Sequence, residues 1–414
     1  MTSSRTSRGG LALVDHRLTV PLDHDDPGGE QLEVFAREVT APGGEDRPWL
    51  VFLQGGPGHE APRPTGHPLA PAWIGRALRD FRVLLLDQRG TGLSTPWGAP
   101  RGATLDPERE AARLVHHRAD AIVRDAEALR EHLGVRRWAV LGQSFGGFCV
   151  LHYRSRFPDS LTETFFTGGL PPLATPVADV YAATYATVRR LDAAHHRRFP
   201  EDAARLRAVL DLAAAGELVR PDGSALTPRL VRTVGNQLGL DGDEALHHLL
   251  ERDPLSPAFV PDLEAMLPFT GRNPLYAVIH EACYADGGRT SWAAHRALPD
   301  DLADGSAVLT GEHLFPWHFE DEPGLRPYAA TAALLAEHPW PRLYDEASLA
   351  AVDLPGAAIV YADDAFVDRE LSEQTLAHLP GVRRWLTDEW PHNGLRLDGV
   401  RILDRLLTLA RGPR

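Results

Sequence analysis

The sequence predicts an α/β fold with a mostly parallel central sheet and an inserted helical cap, and three observations carry that prediction. Short apolar runs recur along the chain, each ending in a glycine-rich or polar loop. Charged, helix-compatible stretches separate them, the alternation that builds a parallel sheet with a site along the carboxyl edge of its strands. One of these runs, Trp138 to Leu141, leads straight into Gly142-Gln143-Ser144-Phe145-Gly146, so a serine stands on a sharp strand-to-helix turn.

The elements follow in order. Residues 1 to 10 are polar and small and are expected to fray. His16 to Pro21 and Gln31 to Val39 read as two strands joined through the turn-rich Asp23 to Gly29, a hairpin at a sheet edge. Pro48 to Leu53 is a continuous apolar run of the kind buried on both faces, and it ends in Gln54-Gly55-Gly56-Pro57-Gly58. A second such strand, Arg82 to Leu86, ends in Asp87-Gln88-Arg89-Gly90-Thr91-Gly92. That loop lacks the spacing of a dinucleotide fingerprint and the Lys-Ser/Thr of a P-loop, so its role is read as structural, with Arg89 pairing locally. The charged, helix-like Pro107 to Leu133 precedes the strand that carries Ser144. A helix from Phe145 to Phe157 and a strand from Leu161 to Thr167 come next.

From there to about Asp345 the pattern changes to Ala- and Leu-rich helix, as at 174–191, 203–218 and 228–238, without buried strands. The alternation resumes with a strand from Ala357 to Tyr361, a helix from Asp368 to Leu379, a strand from Val382 to Leu386 and a last amphipathic helix to about Arg411. The expected organisation is a core at 1–171, a helical cap at 172–345 and the second part of the core at 346–414.

Gly-x-Ser-x-Gly is the pattern of a nucleophile elbow, and the chemistry explains its glycines. A side chain forced into an exposed, strained turn leaves no room for β-carbons beside it, and the helix N-terminus behind it favours developing negative charge. A serine nucleophile needs a base, and the base needs an orienting carboxylate. In hydrolases of this type the chain order is Ser, Asp, His, with the acid after a late strand and the histidine before the last helix. Of 19 histidines, His392 alone occupies that loop. Two acids, Asp363 and Asp364, follow the late strand; Asp364 is preferred and Asp363 is its rival. For the oxyanion, the backbone N–H groups of Gly56 and Phe145 are the expected donors, with Gly55 beside them.

Composition narrows the partners. At 43% hydrophobic and 24% charged the chain reads as soluble and globular, and a net charge of −14 argues against nucleic acid and suits a cationic ligand. No apolar run approaches the roughly 18 residues of a membrane span. Two cysteines far apart, Cys149 and Cys283, and no apolar leader after the first arginines lead to the expectation of a cytoplasmic protein. No metal or organic cofactor is implied.

Leu53-Gln-Gly-Gly-Pro-Gly58, Leu86-Asp-Gln-Arg-Gly-Thr-Gly92, Gly142-Gln-Ser-Phe-Gly-Gly-Phe148 and Pro391-His-Asn-Gly-Leu395 together resemble the prolyl aminopeptidases, or proline iminopeptidases, serine peptidases of the α/β-hydrolase fold. Val20 to His24 and Thr310 to Trp317 resemble the larger members of that family, whose usual loop has a histidine where this chain has Gln54. The resemblance implies release of an N-terminal residue, typically proline, from a peptide or small amide with a free N-terminus. It also implies cap glutamates that hold the protonated amine, matched here by Glu281 and Glu312, with Phe315 and Trp317 as walls of a proline pocket. An esterase or amidase of the same fold acting on small neutral substrates is the alternative reading. A hydrolase-fold receptor without activity is a more distant one, since such proteins often lack a triad member.

Overall fold

The computed structural model describes residues 3–66, 69–98, 104–303 and 309–412. Its sheet has nine strands: β1 (Ser3–Arg8), β2 (Leu11–Pro21), β3 (Gln31–Thr40), β4 (Trp49–Leu53), β5 (Arg82–Asp87), β6 (Trp138–Gln143), β7 (Leu161–Thr167), β8 (Gly356–Tyr361) and β9 (Val382–Thr387). They lie in the order β1-β2-β3-β5-β4-β6-β7-β8-β9. The first three strands pair antiparallel with one another, and β3 pairs antiparallel with β5; every later pairing is parallel. Parallel strands need crossovers, and the helices of those crossovers cover both faces of the sheet.

The continuous apolar runs are explained by this double cover. Val51 and Leu53 of β4, Leu84 and Leu86 of β5 and Val140 of β6 pack toward the helices Ala119–His132 and Phe145–Arg156. Their neighbours Leu50, Phe52, Val83, Leu85 and Leu141 pack on the other face, against Trp73, Ile74 and the stripe Ile402, Leu403, Leu406 and Leu407 of the last helix, Gly399–Arg411. With a side-chain period of two, the middle of these strands has no position left for a polar residue, and Asp87 and Gln143 stand only at their carboxyl ends.

Two expectations about the elements are corrected. Residues 3–8 do not fray: they form β1, paired along its length with β2. The reason is Gly9-Gly10, both at positive φ (58° and 80°), which supplies the two-residue turn that a tight hairpin requires. The helix expected over 107–133 is two helices, Pro107–Leu114, capped by the Asp106 side chain, and Ala119–His132. Between β7 and β8 the described residues add no strand to the sheet. This segment is built of helices, among them Val177–Arg198 and Asp202–Ala214, and it holds an apolar cluster of its own running from Leu206 to Leu309. Among the described residues no helix is long and apolar enough to cross a membrane.

Arg89 is structural, but its partner is not local. Its buried guanidinium donates to Asp125 on the helix Ala119–His132 at 2.6 and 2.7 Å, to the carbonyls of Leu22 (2.6 Å) and His116 (2.8 Å), and to that of Pro21 at 3.2 Å. Burial alone would raise the Asp125 carboxyl; the Arg89 charge and hydrogen bonds outweigh it and hold the acid below the ordinary carboxylate value. The pair thus ties the end of β2, the loop after β5 and a crossover helix together. Arg89→Met leaves Asp125 charged and buried without its counter-ion, and should cost about 3–5 kcal/mol in urea unfolding. Adding Asp125→Leu to that variant should restore most of the loss.

Candidate active site

The elbow has the geometry its sequence demands. Ser144 ends β6 and begins the helix Phe145–Arg156 with φ 54° and ψ −127°, and its side chain makes no capping bond to that helix. Its N–H donates to Thr167 O at 2.9 Å, and its carbonyl accepts from Gly147 N–H at 2.7 Å. The flanking glycines are steric necessities: a Cβ on Gly146 would stand 1.9 Å from Leu53 O, and one on Gly147 2.2 Å from Gly169 O. Gly55 presses on the serine from the other side, where an added Cβ would lie 2.9 Å from Ser144 Cβ.

His392 lies in the loop between β9 and the turn Gly394–Leu397, and it is buried. Its Nδ1 is 2.8 Å from Asp364 Oδ2. The other oxygen, Asp364 Oδ1, accepts from the N–H groups of Phe366 and Val367, both at 2.9 Å, so the carboxylate is fixed in place. Asp363 points outward, its side chain 60% exposed and 3.7 Å from Arg190. Ser144, His392, Gly55, Gly56 and Glu312 line one cavity of about 270 Å3, closed on its apolar side by Tyr276, Leu240, Leu267 and Phe366.

Residues 48–207 match the family model of the alpha/beta hydrolase fold. The chain is 44% identical to a proline iminopeptidase of Aeromonas sobria, an alignment covering 97% of each chain. It is 31% identical to a proline iminopeptidase of Aspergillus aculeatus over 98% of this chain and 95% of the relative. The chain belongs to the proline iminopeptidase family. It is an enzyme, a hydrolase of the α/β-hydrolase fold.

In this family member the two glutamates expected at the amine part company. Glu312 faces the serine cavity. Burial first, and then the nearby Asp364 charge, push its carboxyl well above the ordinary value of 4.5. The basic group at its side is His280, with Nε2 at 4.0 Å, and burial holds that imidazole neutral, at about 3. Among the described residues no arginine reaches Glu312 within ion-pair distance. Glu281 lies elsewhere, against a small separate cavity with Thr290 and Trp292. Its Oε1 accepts from Ala294 N–H at 2.8 Å at the start of the turn Ala293–Arg296. Its Oε2 has no hydrogen-bond partner of good geometry.

The expected aromatic walls are also placed elsewhere. Phe315 and Trp317 stack on each other at 4.9 Å and do not line the serine cavity; Arg229 lies over Trp317. The Phe145 side chain is buried, 5.9 Å from Phe148, while its backbone opens the elbow helix. Tyr276 and Phe366 stand at the cavity instead, Phe366 with its ring 4.7 Å from His392. Sequence reasoning also passed over His59 and Arg396, which line the cavity three residues after Gly56 and four after His392. Closeness to two motifs was the available signal. With its amide turned so that the oxygen faces Arg396 and Gly55, Gln54, in the place of the family's usual histidine, accepts from Arg396 Nη2 at 3.0 Å and from Gly55 N–H at 3.2 Å.

The Glu312 carboxyl has a consequence for stability. Because its folded pKa is raised, the protonated form supports the fold fully below the ordinary value of 4.5, and that support is lost as pH rises through the folded value. Glu312→Gln, which cannot ionise, should match the parent in melting temperature near pH 4 and melt increasingly above it toward pH 8. A difference that does not change with pH would contradict this.

Proposed function

We propose that this enzyme releases N-terminal proline from peptides and small amides through an acyl-enzyme on Ser144. One observation carries the reading: a serine, a histidine held by a fixed carboxylate, and a second carboxylate without a cation open onto the same cavity. His392 Nε2 takes the proton of Ser144 Oγ as the oxygen attacks the carbonyl of the N-terminal residue. Asp364, 2.8 Å from Nδ1, keeps the imidazole in the required tautomer and stabilises its charged form. The N–H groups of Gly56 and Phe145 hold the oxyanion, placed by the close approach of the Gly55 loop to the serine and by the helix N-terminus. His392 then passes its proton to the leaving amine, which departs as the C–N bond breaks. A water attacks the ester by the same route, and proline leaves as Ser144 regains its proton.

Glu312 is the partner for the protonated secondary amine. An unpaired, partly buried carboxylate is costly to ionise, so a bound ammonium both satisfies it and fixes the scissile carbonyl beside the serine. An esterase or amidase for neutral substrates would gain nothing from such a group. The helical segment at 172–345, which supplies Glu312 and Tyr276, acts as the cap over the site. The two cysteines, both free and buried, support a reducing cytoplasmic setting.

Ser144→Ala should lower turnover of proline anilide about 10^6-fold with circular dichroism unchanged. Asp364→Asn should lower kcat about 10^4-fold, while Asp363→Asn stays near the parent; equal effects of the two would remove Asp364 from the mechanism. Glu312→Gln should raise KM for free-amine substrates about 10–100-fold, the loss expected for a charge-assisted hydrogen bond. An unchanged preference for free over N-acylated substrates in that variant would sink the amine assignment.

A further inference from the structure

The serine cavity does not end at the histidine. A second cavity of about 510 Å3, walled by Phe52, Trp73, Pro62 and Leu395, opens against it. The two share four residues, Gln54, His59, Gln143 and Arg396. Ser144, His392 and Glu312 line only the first, so Arg396 stands at the junction on the side where Glu312 is not.

Arg396 is a charge without a counter-charge. Its side chain is open to water at the cleft, yet protein surrounds enough of it that desolvation holds its pKa below the ordinary arginine value. No carboxylate lies within ion-pair distance among the described residues, and Gln54 takes one of its five donors. The other charges at the second cavity are matched: Arg63 binds Asp87, and Glu60 accepts from Arg272 at 2.9 Å. His59, beside Arg396, is held neutral at about 4 by burial and then by that arginine's charge. A free, forked guanidinium in a cleft is a carboxylate receptor by its chemistry.

The two cavities say which carboxylate. With the amine at Glu312 in the first cavity, the substrate runs past the serine toward the second, which Glu312 does not line and Arg396 does, so the residue that leaves is directed to Arg396. In a dipeptide the free carboxylate is only two bonds beyond that amine nitrogen, within about the 3.8 Å of one residue step.

We propose that Arg396 binds the α-carboxylate of the residue directly after the scissile bond, so that prolyl dipeptides with a free C-terminus are favoured, their second side chain facing the apolar second cavity. The inference rests on the aminopeptidase reading and extends it to the leaving side. A prolyl dipeptide would then be held at both charged ends, ammonium at Glu312 and carboxylate at Arg396.

The test compares kcat/KM for Pro-Leu, for its C-terminal amide and for proline anilide, in the parent, Arg396→Gln and Arg396→Lys. The parent should favour the acid over the amide about tenfold or more, mostly through KM. Added salt should shrink that ratio. Arg396→Gln should bring the ratio close to one, and Arg396→Lys should keep part of it, since the charge remains and the fork is lost. The acid-to-amide comparison on the parent enzyme needs no variant, so misfolding of either one does not shield the proposal. Turnover of the anilide with an acid-to-amide ratio near one, or a ratio unchanged in Arg396→Gln, overturns this inference alone. No turnover of any of the three substrates by the parent overturns the aminopeptidase reading and this inference with it.

Discussion

The backbone of Ser144 is the constraint on which the rest depends. A residue with a side chain at φ 54° and ψ −127° is held at a cost of about 1–3 kcal/mol and persists only where its surroundings over-determine it. Those surroundings are backbone, not side chain. Leu53 O at the end of β4 lies against Gly146, and Gly169 after β7 lies against Gly147. Thr167 O, the last of β7, accepts the serine's own N–H. The elbow therefore requires both neighbours of β6 in register, and the order β4-β6-β7 at the sheet's centre supplies them. The same approach that strains the serine brings the Gly55 loop to its side, so fold and the proposed oxyanion donors depend on one packing arrangement.

Electrostatics divides the site into satisfied and unsatisfied charges. Asp364 has two N–H donors and an imidazole and needs nothing more. Glu312 and Arg396 are open to the cavity without ionic partners, and the histidines nearest them, His280 and His59, are held neutral. Other charged groups around them are matched, Arg89 with Asp125 and Arg63 with Asp87. A carboxyl and a guanidinium without ionic partners at one cleft are groups that a zwitterionic substrate would pair with, and they give the cleft a direction.

Much of the core was legible because its signals are local. Runs such as Val83 to Leu86, short and ended by a glycine-rich loop, read as strands covered on both faces, and the Ser, Asp, His order follows from where sheet and helix alternate. What was missed depends on contacts between distant segments. Gly9-Gly10 read as a flexible end because nothing in residues 3–8 is apolar, yet strand pairing uses backbone groups and needs only the turn. Asp364 is preferred to Asp363 in the sequence but not separated from it, because the choice turns on which side chain meets the N–H groups of Phe366 and Val367, a matter of loop conformation that composition does not encode. Phe315 and Trp317 look like pocket walls by type, but a helical segment without a period tied to the sheet gives no rule for which of its aromatics turn inward. Tyr276 does so here, and Phe366 joins it from the loop after β8.

Glu281 and Glu312 show why charge alone cannot settle a binding role. Both are largely enclosed and both have carboxyls raised by burial, so the direction of titration marks both. Their hydrogen bonds and the space before them differ. Glu281 spends one oxygen on Ala294 N–H, and the cavity at its side holds about 10 Å3, scarcely the room of one water. Glu312 opens onto about 270 Å3 shared with the serine and the histidine. A pyrrolidinium ring has room at the second glutamate and none at the first. Burial of the first therefore reads as the anchoring of a turn in the helical segment, whereas the second opens onto the serine's cavity with no cationic partner among the described residues.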